Sequence, residues 1–176
     1  MMTRQDLAAR IFSISNLKGE FRLRSGVTSN EYFDKYLFES DPQLLKEIAL
    51  ALQPLIPPGI DALAGLELGG VPIATMLSQV TGLPTLFVRK QAKEYGTCKL
   101  AEGGDLGGKR LLIVEDVVTS GGQAILSAQD LRNLGAQITH AICVIDREAG
   151  GAESLAAEGI ELRALFKMSE LKRAGE

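Results

Sequence analysis

A strand-sized apolar run, a turn with two adjacent glycines and a segment with helical spacing follow one another twice in this chain, and few folds accommodate that order. The first copy begins with the run from Ala62 to Leu66, and the second with the run from Leu111 to Val114. Short continuous aliphatic runs are typical of strands buried on both faces, and the helical segments are long enough to cross over between parallel strands. The pattern predicts an α/β fold built on a mostly parallel sheet with helices on both faces.

Other local signals extend this pattern to about five strands and one domain. Further strand-sized runs are Thr85 to Val88, Thr139 to Ile145 and Ile160 to Leu165. Apolar residues at helical spacing predict an N-terminal helix, and the pair Asp41–Pro42 predicts the start of another. The stretch from Phe21 to Phe38 has no helical period and is expected to form short strands and loops. We therefore expect residues 1–176 to form a single domain, in which residues 1–40 supply the N-terminal helix and a small flap or hood.

Composition and charge exclude several classes of protein. The 19 basic and 22 acidic side chains give a formal net charge of −3, which disfavours a dedicated nucleic-acid binder. The apolar fraction of 45% is too high for a disordered chain, and no apolar run approaches the length that crosses a bilayer. Two cysteines and one histidine cannot form a Cys/His metal site, and the N-terminus has no apolar secretory signal. These features predict a cytoplasmic protein with free thiols and with neither nucleic acid nor membrane as a partner.

The most informative segment runs from Leu111 to Gln123, where an apolar strand leads to Glu115 and Asp116 and then to a turn of small residues. Ligands of such sheets lie beyond the carboxyl ends of the strands, which is where the two acids are expected. The hydroxyl groups and open backbone N–H groups of residues 119–122 suit a phosphate at a helix N-terminus. Carboxylates repel phosphate, so the acids are expected to face ribose hydroxyls or a divalent cation. The segment thus predicts a phosphorylated sugar as the ligand.

Three other interpretations of this segment compete. An ATPase would need a phosphate loop of the G-x-x-x-x-G-K-[ST] type, which the sequence lacks. A response-regulator receiver also has paired acids after its first strand, but too few residues follow Leu111 to complete one. A structural turn, with acids near a helix N-terminus, would leave the clustered glycines and hydroxyl groups unexplained. A sugar-phosphate site accounts best for the segment.

The same segment resembles the phosphoribosyl-pyrophosphate motif of the type I phosphoribosyltransferases, which is an apolar strand, two acids, two small apolar residues and then Thr-x-Gly-x. The resemblance implies that family's fold, and it implies 5-phosphoribosyl 1-pyrophosphate as the donor substrate. The residues that the motif places on the donor are Glu115, Asp116, Val117, Val118, Thr119, Ser120, Gly121, Gly122 and Gln123. The motif leaves the acceptor base open.

Residues 87–103 resemble the mobile catalytic loop of one branch of that family, the orotate phosphoribosyltransferases. The resemblance implies that Arg89, Lys90, Lys93 and Tyr95 contact the donor, and that Lys90, Lys93 and Asp116 act in catalysis. The cations and the following glycines fit a basic, mobile cover over a pyrophosphate group, and a solvated surface loop would have the same composition. Many relatives have His at the position of Tyr95, and tyrosine cannot exchange protons near neutral pH in its place.

Residues 21–34 resemble the N-terminal flap of those enzymes, where the resemblance places Arg24, Tyr32 and Phe33 near the pyrimidine base. As ordinary core residues, the two aromatic side chains would instead pack beneath the flap. Many relatives have Lys at the position of Arg24, so the positive charge is retained.

Residues 144–151 resemble the strand end that meets the orotate carboxylate, and residues 64–72 resemble the turn that faces the pyrophosphate. The first resemblance implies that Arg147, together with Thr119, binds orotate. Arginine suits a planar carboxylate because it donates two parallel hydrogen bonds. A surface ion pair of Arg147 with Asp146 or Glu148 is the alternative.

The four segments together imply an orotate phosphoribosyltransferase, a glycosyltransferase of the pentosyl class that makes orotidine 5′-monophosphate and diphosphate in de novo pyrimidine (UMP) biosynthesis. They also imply Mg²⁺, held mainly by substrate with no firm protein ligand. They further imply a homodimer in which residues 87–103, the lid, act across the interface. Two alternatives remain. A purine phosphoribosyltransferase is disfavoured because Arg24 and Arg147 suit an acidic base, and a non-catalytic regulator that senses phosphoribosyl pyrophosphate is disfavoured by the lysines of the lid.

Overall fold

Helices and strands alternate along most of the chain in the computed structural model, which describes residues 2–23, 25–96 and 99–175. The helices are α1 (Arg4–Ser15), α2 (Tyr36–Ser40), α3 (Pro42–Leu52), α4 (Gly70–Thr81), α5 (Gly122–Asn133), α6 (Gly151–Ala157) and α7 (Met168–Ala174). The strands are β1 (Asn16–Arg22), β2 (Thr28–Phe33), β3 (Ala62–Leu66), β4 (Thr85–Val88), β5 (Ala101–Glu102), β6 (Arg110–Val118), β7 (Gln137–Asp146) and β8 (Glu161–Lys167). A short 3₁₀ turn, Gln53–Leu55, follows α3.

Strands β3 to β8 form one sheet in the order β5-β4-β3-β6-β7-β8. β3 pairs in parallel with β4 and β6, and β7 pairs in parallel with β6 and β8. The remaining strand, β5, has two residues and pairs antiparallel to β4 at the edge. The predicted α/β fold with a mostly parallel sheet is therefore confirmed. Because β3 lies between β4 and β6, the topological switch point, where such sheets bind ligands, lies at the carboxyl ends of β3 and β6.

Apolar side chains fill both faces of the sheet. One face packs against α1, α3, α4 and α7 through a cluster that includes the fully buried Ile11, Ile48 and Leu77. The other face packs against α5 and α6 through Leu131 and Leu155. The carboxyl ends of the strands are thereby held as a rigid edge, and this edge positions the loops that follow them.

Local signals set several boundaries, and the start of α3 and the bounds of two strands are as predicted. Asp41 Oδ1 accepts the backbone N–H groups of Gln43 and Leu44, each at 3.0 Å, and Pro42 lies in the first turn of α3. Gly82 ends α4 with a φ of 75°, in the left-handed conformation that favours glycine. The predicted bounds of β3 and β4 are also those observed.

The N-terminal flap differs from the prediction at both of its ends. β1 and β2 pair as an antiparallel hairpin, but β1 begins at Asn16, well before Phe21. The prediction of short strands and loops as far as Phe38 is wrong for α2, which begins at Tyr36. This helix is too short to show a period, and it is held in place because Phe38 is fully buried in the core. As a consequence, α2 lies close to the carboxyl edge of the sheet.

Candidate active site

The two acids of the motif lie within β6 rather than beyond its end. The sequence ends this strand at Val114, but parallel pairing with β7 continues to Val118. Because successive side chains of a strand point to opposite faces, Glu115 and Asp116 meet different surroundings. Glu115 is half-buried, and Asp116 is only 1% exposed.

The carboxyl group of Asp116 is held by contacts from three directions. Its Oδ1 accepts the backbone N–H of Val117 at 2.6 Å, and its Oδ2 lies 2.6 Å from Nζ of Lys35, which precedes α2. The turn between β3 and α4 covers it from the third side, so closely that a Cβ at Gly69 would overlap the carboxylate. A Cβ at Gly70 would overlap the carbonyl oxygen of Val114 in the same way. The adjacent glycines of the turn are therefore required for its packing against β6.

Burial shifts the pKa values of the carboxyl groups that surround Asp116. Burial raises the pKa of Glu39, on α2, to about 9, and contact with Asp116 adds to the rise. Burial also raises the pKa of Glu115 to about 8, and the charge of Asp116 is the second cause. For Lys35, burial lowers the pKa and the hydrogen bond with Asp116 raises it, with a net rise. At neutral pH the site thus holds a Lys35–Asp116 ion pair beside two protonated carboxyl groups.

The turn after β6 has the shape of an anion cradle. Thr119 and Ser120 are exposed, and Gly121, with a φ of 80°, is the N-cap of α5. The first N–H groups of a helix have no partners within the helix and are open to a phosphate. A Cβ at Gly151, at the start of α6, would overlap the carbonyl oxygen of Thr119. The turn is therefore packed against a second helix start.

The other residues that the motif places on the donor differ in what they offer. Gln123 is half-buried in the first turn of α5, where its amide lies 3.3 Å from the hydroxyl group of Ser127. Val117 packs against one core cluster and Val118 lies within the other. For these two valines, the backbone is the part that a donor would contact.

The lid cations of the prediction meet an acid of the adjacent edge strand. Lys93 Nζ lies 2.6 Å from Oε1 of Glu102 on β5, and Arg89 Nε lies 4.0 Å from the same oxygen. The hydrogen bond from Lys93 holds the pKa of Glu102 below its ordinary value. Tyr95 is 75% exposed. The structure thus places Arg89 and Lys93 on Glu102 and does not bring them to the acid pair.

Lys90 connects the lid to the glycine turn between β3 and α4. Its backbone N–H donates to Oε1 of Glu67 at 2.6 Å, and its exposed ammonium group acts electrostatically on Glu115. The peptide bond between Glu67 and Leu68 is cis. The turn between β3 and α4, which the sequence predicts to face the pyrophosphate, lies at the same edge of the sheet as the acids of β6.

A cavity of about 270 Å³ brings together Tyr32, Phe33 and Arg147, three of the residues that the sequence places on the base, whereas Thr119 is not part of its lining. Its polar and aromatic lining includes Ser29, Glu31, Tyr32, Phe33, Arg147 and Lys172. Phe33 is half-buried, with its ring centre 6.4 Å from that of Phe12, so it also packs against the core. Tyr32 is 45% exposed and contacts Phe21 at 5.6 Å between ring centres. Arg24, the third flap residue of the prediction, lies outside the described residues.

Arg147 joins this cavity to the end of β6. Its backbone N–H donates to the carbonyl oxygen of Val118 at 2.9 Å. Asp146 accepts the N–H of Glu148, and the Glu148 carboxylate accepts hydrogen bonds from Ser169. Within the described ranges the guanidinium group of Arg147 has no ion-pair partner. The alternative of a surface ion pair with Asp146 or Glu148 is therefore wrong.

Three residues of the site carry no signal in the local sequence pattern, and a fourth does. Lys35 belongs to the stretch predicted to form short strands and loops, and Glu39 lies just beyond it; the role of both depends on the packing of α2 against β6. Lys172 reaches the base cavity because α7 packs beside α1. Ser29 could have been found, since it lies two and four residues from the cavity residues Glu31 and Phe33 along β2 and therefore shares their face of the strand.

The described part of the chain offers neither a cluster of metal ligands nor a membrane-spanning helix. It holds no group of three or more His, Cys, Asp or Glu side chains arranged to bind a metal ion. In the same ranges, no helix has both the length and the apolar character that a membrane-spanning segment needs.

Comparison with known proteins agrees with this geometry. Residues 40–162 match the family model of the phosphoribosyl transferase domain. The chain is 53% identical over 170 residues to an orotate phosphoribosyltransferase of Nocardioides sp., covering 97% of this chain and 95% of that protein. A crystal structure of Mycobacterium tuberculosis orotate phosphoribosyltransferase with inorganic phosphate has a TM-score of 0.86 at 27% identity, covering 96% of this chain and 98% of that one. A complex of the same enzyme with 5-phospho-α-D-ribosyl 1-diphosphate has a TM-score of 0.83 at 27% identity, with the same coverage.

Proposed function

Because the chain belongs to the orotate phosphoribosyltransferases of the phosphoribosyltransferase family, we propose that it joins the 5-phosphoribosyl group of 5-phosphoribosyl 1-pyrophosphate to N1 of orotate. The products are orotidine 5′-monophosphate and diphosphate. The protein is an enzyme of the pentosyltransferase class and acts in pyrimidine biosynthesis. The residue assignments rest on the hydrogen bond that the backbone N–H of Arg147 donates to the carbonyl oxygen of Val118. This hydrogen bond holds the base cavity beside the phosphate turn.

The donor end of the site would act through binding and charge. As the bond between C1 and the pyrophosphate oxygen loosens, positive charge grows on the sugar and negative charge on the leaving group. Glu115 and Asp116 would hold the ribose hydroxyls, and the turn from Thr119 to Gln123 would anchor the remote 5′-phosphate and orient the sugar. No protein nucleophile is needed in this scheme.

The lid would complete the site when the donor binds. Arg89, Lys90 and Lys93 are the cations assigned to the pyrophosphate. Since Arg89 and Lys93 contact Glu102 in the structure, the pyrophosphate would have to exchange for that carboxylate. Tyr95 would contribute a hydrogen bond rather than a proton transfer.

At the base end, Arg147 would pair with the orotate carboxylate. Its guanidinium group has no ion-pair partner in the described residues, so binding a carboxylate does not require breaking another ion pair. Tyr32 and Phe33 would pack near the pyrimidine, and Thr119 and Arg24 would assist in orienting it. A neutral purine would leave the arginine charge unmatched.

Mg²⁺ is assigned to the oxygens of the donor and to no protein ligand. The residues of the described chain do not fit a metal site on their own, and the buried Asp116 is already paired with Lys35. Mg²⁺ usually keeps several waters and binds largely through substrate phosphates.

A homodimer in the cytoplasm is the proposed state of the enzyme. Large apolar side chains are exposed on the turn, the strand and the lid, namely Leu68, Phe87 and Tyr95, and such exposure suits contact with a second copy of the chain. At an orotate concentration below the wild-type KM, Lys93→Ala and Arg147→Ala should each retain about a tenth of wild-type activity or less, and mixing them should raise the activity to about a quarter of wild type if each lid serves its neighbour's site. No recovery, with mixed dimers demonstrated by mass spectrometry, would contradict lid exchange.

The reaction itself is tested by the ultraviolet absorbance of orotate, which should fall when donor and Mg²⁺ are added to the enzyme. No change, with a known orotate phosphoribosyltransferase active in parallel, would favour the purine enzyme or the non-catalytic regulator.

Arg147→Ala should raise the orotate KM by about tenfold or more, or about 1.4 kcal/mol, with a much smaller effect on the donor KM. Arg110→Ala is the matched control, since Arg110 is exposed at the opposite end of β6 and pairs with Asp61. Equal effects of Arg147→Ala on both KM values would argue against its place at the carboxylate.

A further inference from the structure

The base cavity has a second cation in its wall besides Arg147. Lys172, on α7, lines the cavity together with that arginine, and neither the sequence motifs nor the proposed function gives it a role. We propose that Lys172 is a specificity-determining residue for the acceptor, whose positive charge favours an anionic pyrimidine over a neutral base. The inference rests on the proposed function, since it assumes that orotate occupies this cavity.

Helical geometry directs Lys172 towards the cavity. Met168 and Lys172 are four residues apart on α7, so they lie on the same face of the helix, and both line the cavity. Leu171, beside them, is fully buried in the core and holds the helix against the rest of the domain. Lys172 itself is exposed, so a ligand in the cavity can reach it without displacing a buried group.

Contacts at both ends of α7 fix its position relative to Arg147. The backbone N–H and the hydroxyl group of Ser169 donate to the two carboxylate oxygens of Glu148, at 2.9 and 3.1 Å, and Glu148 directly follows Arg147. At the other end, a Cβ at Gly175 would overlap the ring of Phe12, which is also part of the cavity wall. The two cations are therefore held on the walls of one cavity by contacts that do not involve their own charged groups.

The acid in the cavity wall does not neutralise Lys172. Glu31 is the acidic residue of the described lining, and its Oε2 accepts a hydrogen bond from Nζ of Lys18 at 3.2 Å. This hydrogen bond lowers the pKa of Glu31, and the charge of Lys172 makes a smaller contribution in the same direction. Among the described residues, Lys172 forms no ion pair with a carboxylate. The described lining thus keeps an excess of positive charge for a ligand.

The chemistry of the acceptor matches this excess. Orotate carries a carboxylate next to N1, the atom that bonds to C1 of the ribose, so the negative charge lies close to the reacting atom. Arginine suits the plane of a carboxylate because it donates two parallel hydrogen bonds, whereas lysine acts as a compact charge with no required plane. A pyrimidine of the same shape without the carboxylate would leave both cations unmatched. The second cation therefore adds discrimination by charge, which the shape of the cavity does not supply.

The test compares the binding of orotidine 5′-monophosphate and uridine 5′-monophosphate by isothermal titration calorimetry, since these nucleotides differ only in the carboxylate. Lys172→Met should weaken binding of orotidine 5′-monophosphate about fivefold and leave uridine 5′-monophosphate unchanged. The effect is modest because solvent and salt screen an exposed charge. Lys172→Arg should retain most of the affinity. Arg173→Met is the matched control and should bind as wild type does, because it removes a charge from an exposed position of the same helix that does not line the cavity.

Kinetics and salt dependence give two further readouts. Lys172→Met should raise the orotate KM about fivefold, with little change in the donor KM. Raising the salt concentration from about 0.05 M to about 0.5 M should weaken binding of orotidine 5′-monophosphate to wild type more than to Lys172→Met, since a charge that has been removed cannot be screened. A merely structural lysine would change the affinity for both nucleotides and would leave the salt dependence as in wild type.

Three results would overturn the proposal: an unchanged ratio of the two nucleotide affinities in Lys172→Met, equal losses for both nucleotides, or a loss that arginine does not restore. Lys172→Gln serves as the neutral variant if the methionine prevents folding. Wild type that forms no orotidine 5′-monophosphate from orotate and donor would refute the proposed function and this inference with it. Wild type that is active, while Lys172→Met keeps the full preference for orotidine 5′-monophosphate, would refute the inference alone.

Discussion

In Glu39→Gln, the free energy of unfolding should fall less steeply with rising pH than it does in wild type. The Glu39 side chain is 6% exposed and contacts Asp116, and no described group donates a hydrogen bond to its oxygens. Burial, followed by the contact with Asp116, raises its pKa from 4.5 to about 9. Folding at neutral pH therefore takes up a proton at this position, whereas a glutamine folds without one.

The sign and the size follow from proton linkage. Below pH 4.5 the carboxyl group is protonated in both states, and its contribution to stability is complete. From there to about pH 9 the native state holds one proton more than the unfolded state. The free energy of unfolding then falls by at most about 1.4 kcal/mol per pH unit. Solvent screening beside the partly exposed Lys35 reduces this limit, and we expect about 1 kcal/mol per unit.

Urea unfolding at about pH 6 and about pH 8 measures the effect. Wild type should lose about 2 kcal/mol more than Glu39→Gln over this interval, and the raised pKa of Glu115 contributes to both proteins alike. Glu20→Gln, at an exposed carboxylate of β1, is the control and should keep the wild-type slope. Equal slopes for wild type and Glu39→Gln would refute the argument that Glu39 is buried as a neutral acid.

Two further substitutions test the lid and the glycine turn. Lys93→Ala should lower turnover by at least about tenfold, or about 1.4 kcal/mol, with an unchanged circular dichroism spectrum, and an unchanged turnover number would contradict the lid assignment. Gly69→Ala should lower the free energy of unfolding by about 1–3 kcal/mol and raise the donor KM, because the added Cβ overlaps the Asp116 carboxylate. Gly107→Ala is its control, since a Cβ there would only make an ordinary contact with Asp105 at 3.7 Å. Equal stability losses in both alanine variants would show that the overlap at position 69 is relieved by small shifts.

Local chemistry explains the parts of the fold that the sequence predicts well. β3 and β4 are continuous apolar runs bounded by turn residues, and the Asp41 cap acts within its own helix, so no distant residue is needed to define them. α2 and β5 escape prediction because they are too short for a period and exist through contacts, namely the burial of Phe38 and the pairing of β5 with β4.

The candidate site also has parts that the local sequence predicts and parts that depend on contacts between distant segments. The motif from Leu111 to Gln123 predicts the acid pair and the phosphate turn, because one continuous segment carries both. The extension of β6 to Val118 requires its partner β7, and with it comes the burial of Asp116. The engagement of Lys93 by Glu102 likewise depends on the antiparallel edge strand.

The sequence by itself therefore determined the α/β class, the positions of the main strands along the chain and the chemistry of the donor motif. These depend on neighbours within a few residues of one another. Only the tertiary structure decided which charges meet: Lys35 with Asp116, Glu39 as a buried neutral acid, and Arg147 open to a ligand. The physical reason is that the ionisation and pairing of a side chain are set by burial and by the charges within a few ångströms, and packing brings those charges together from distant parts of the chain.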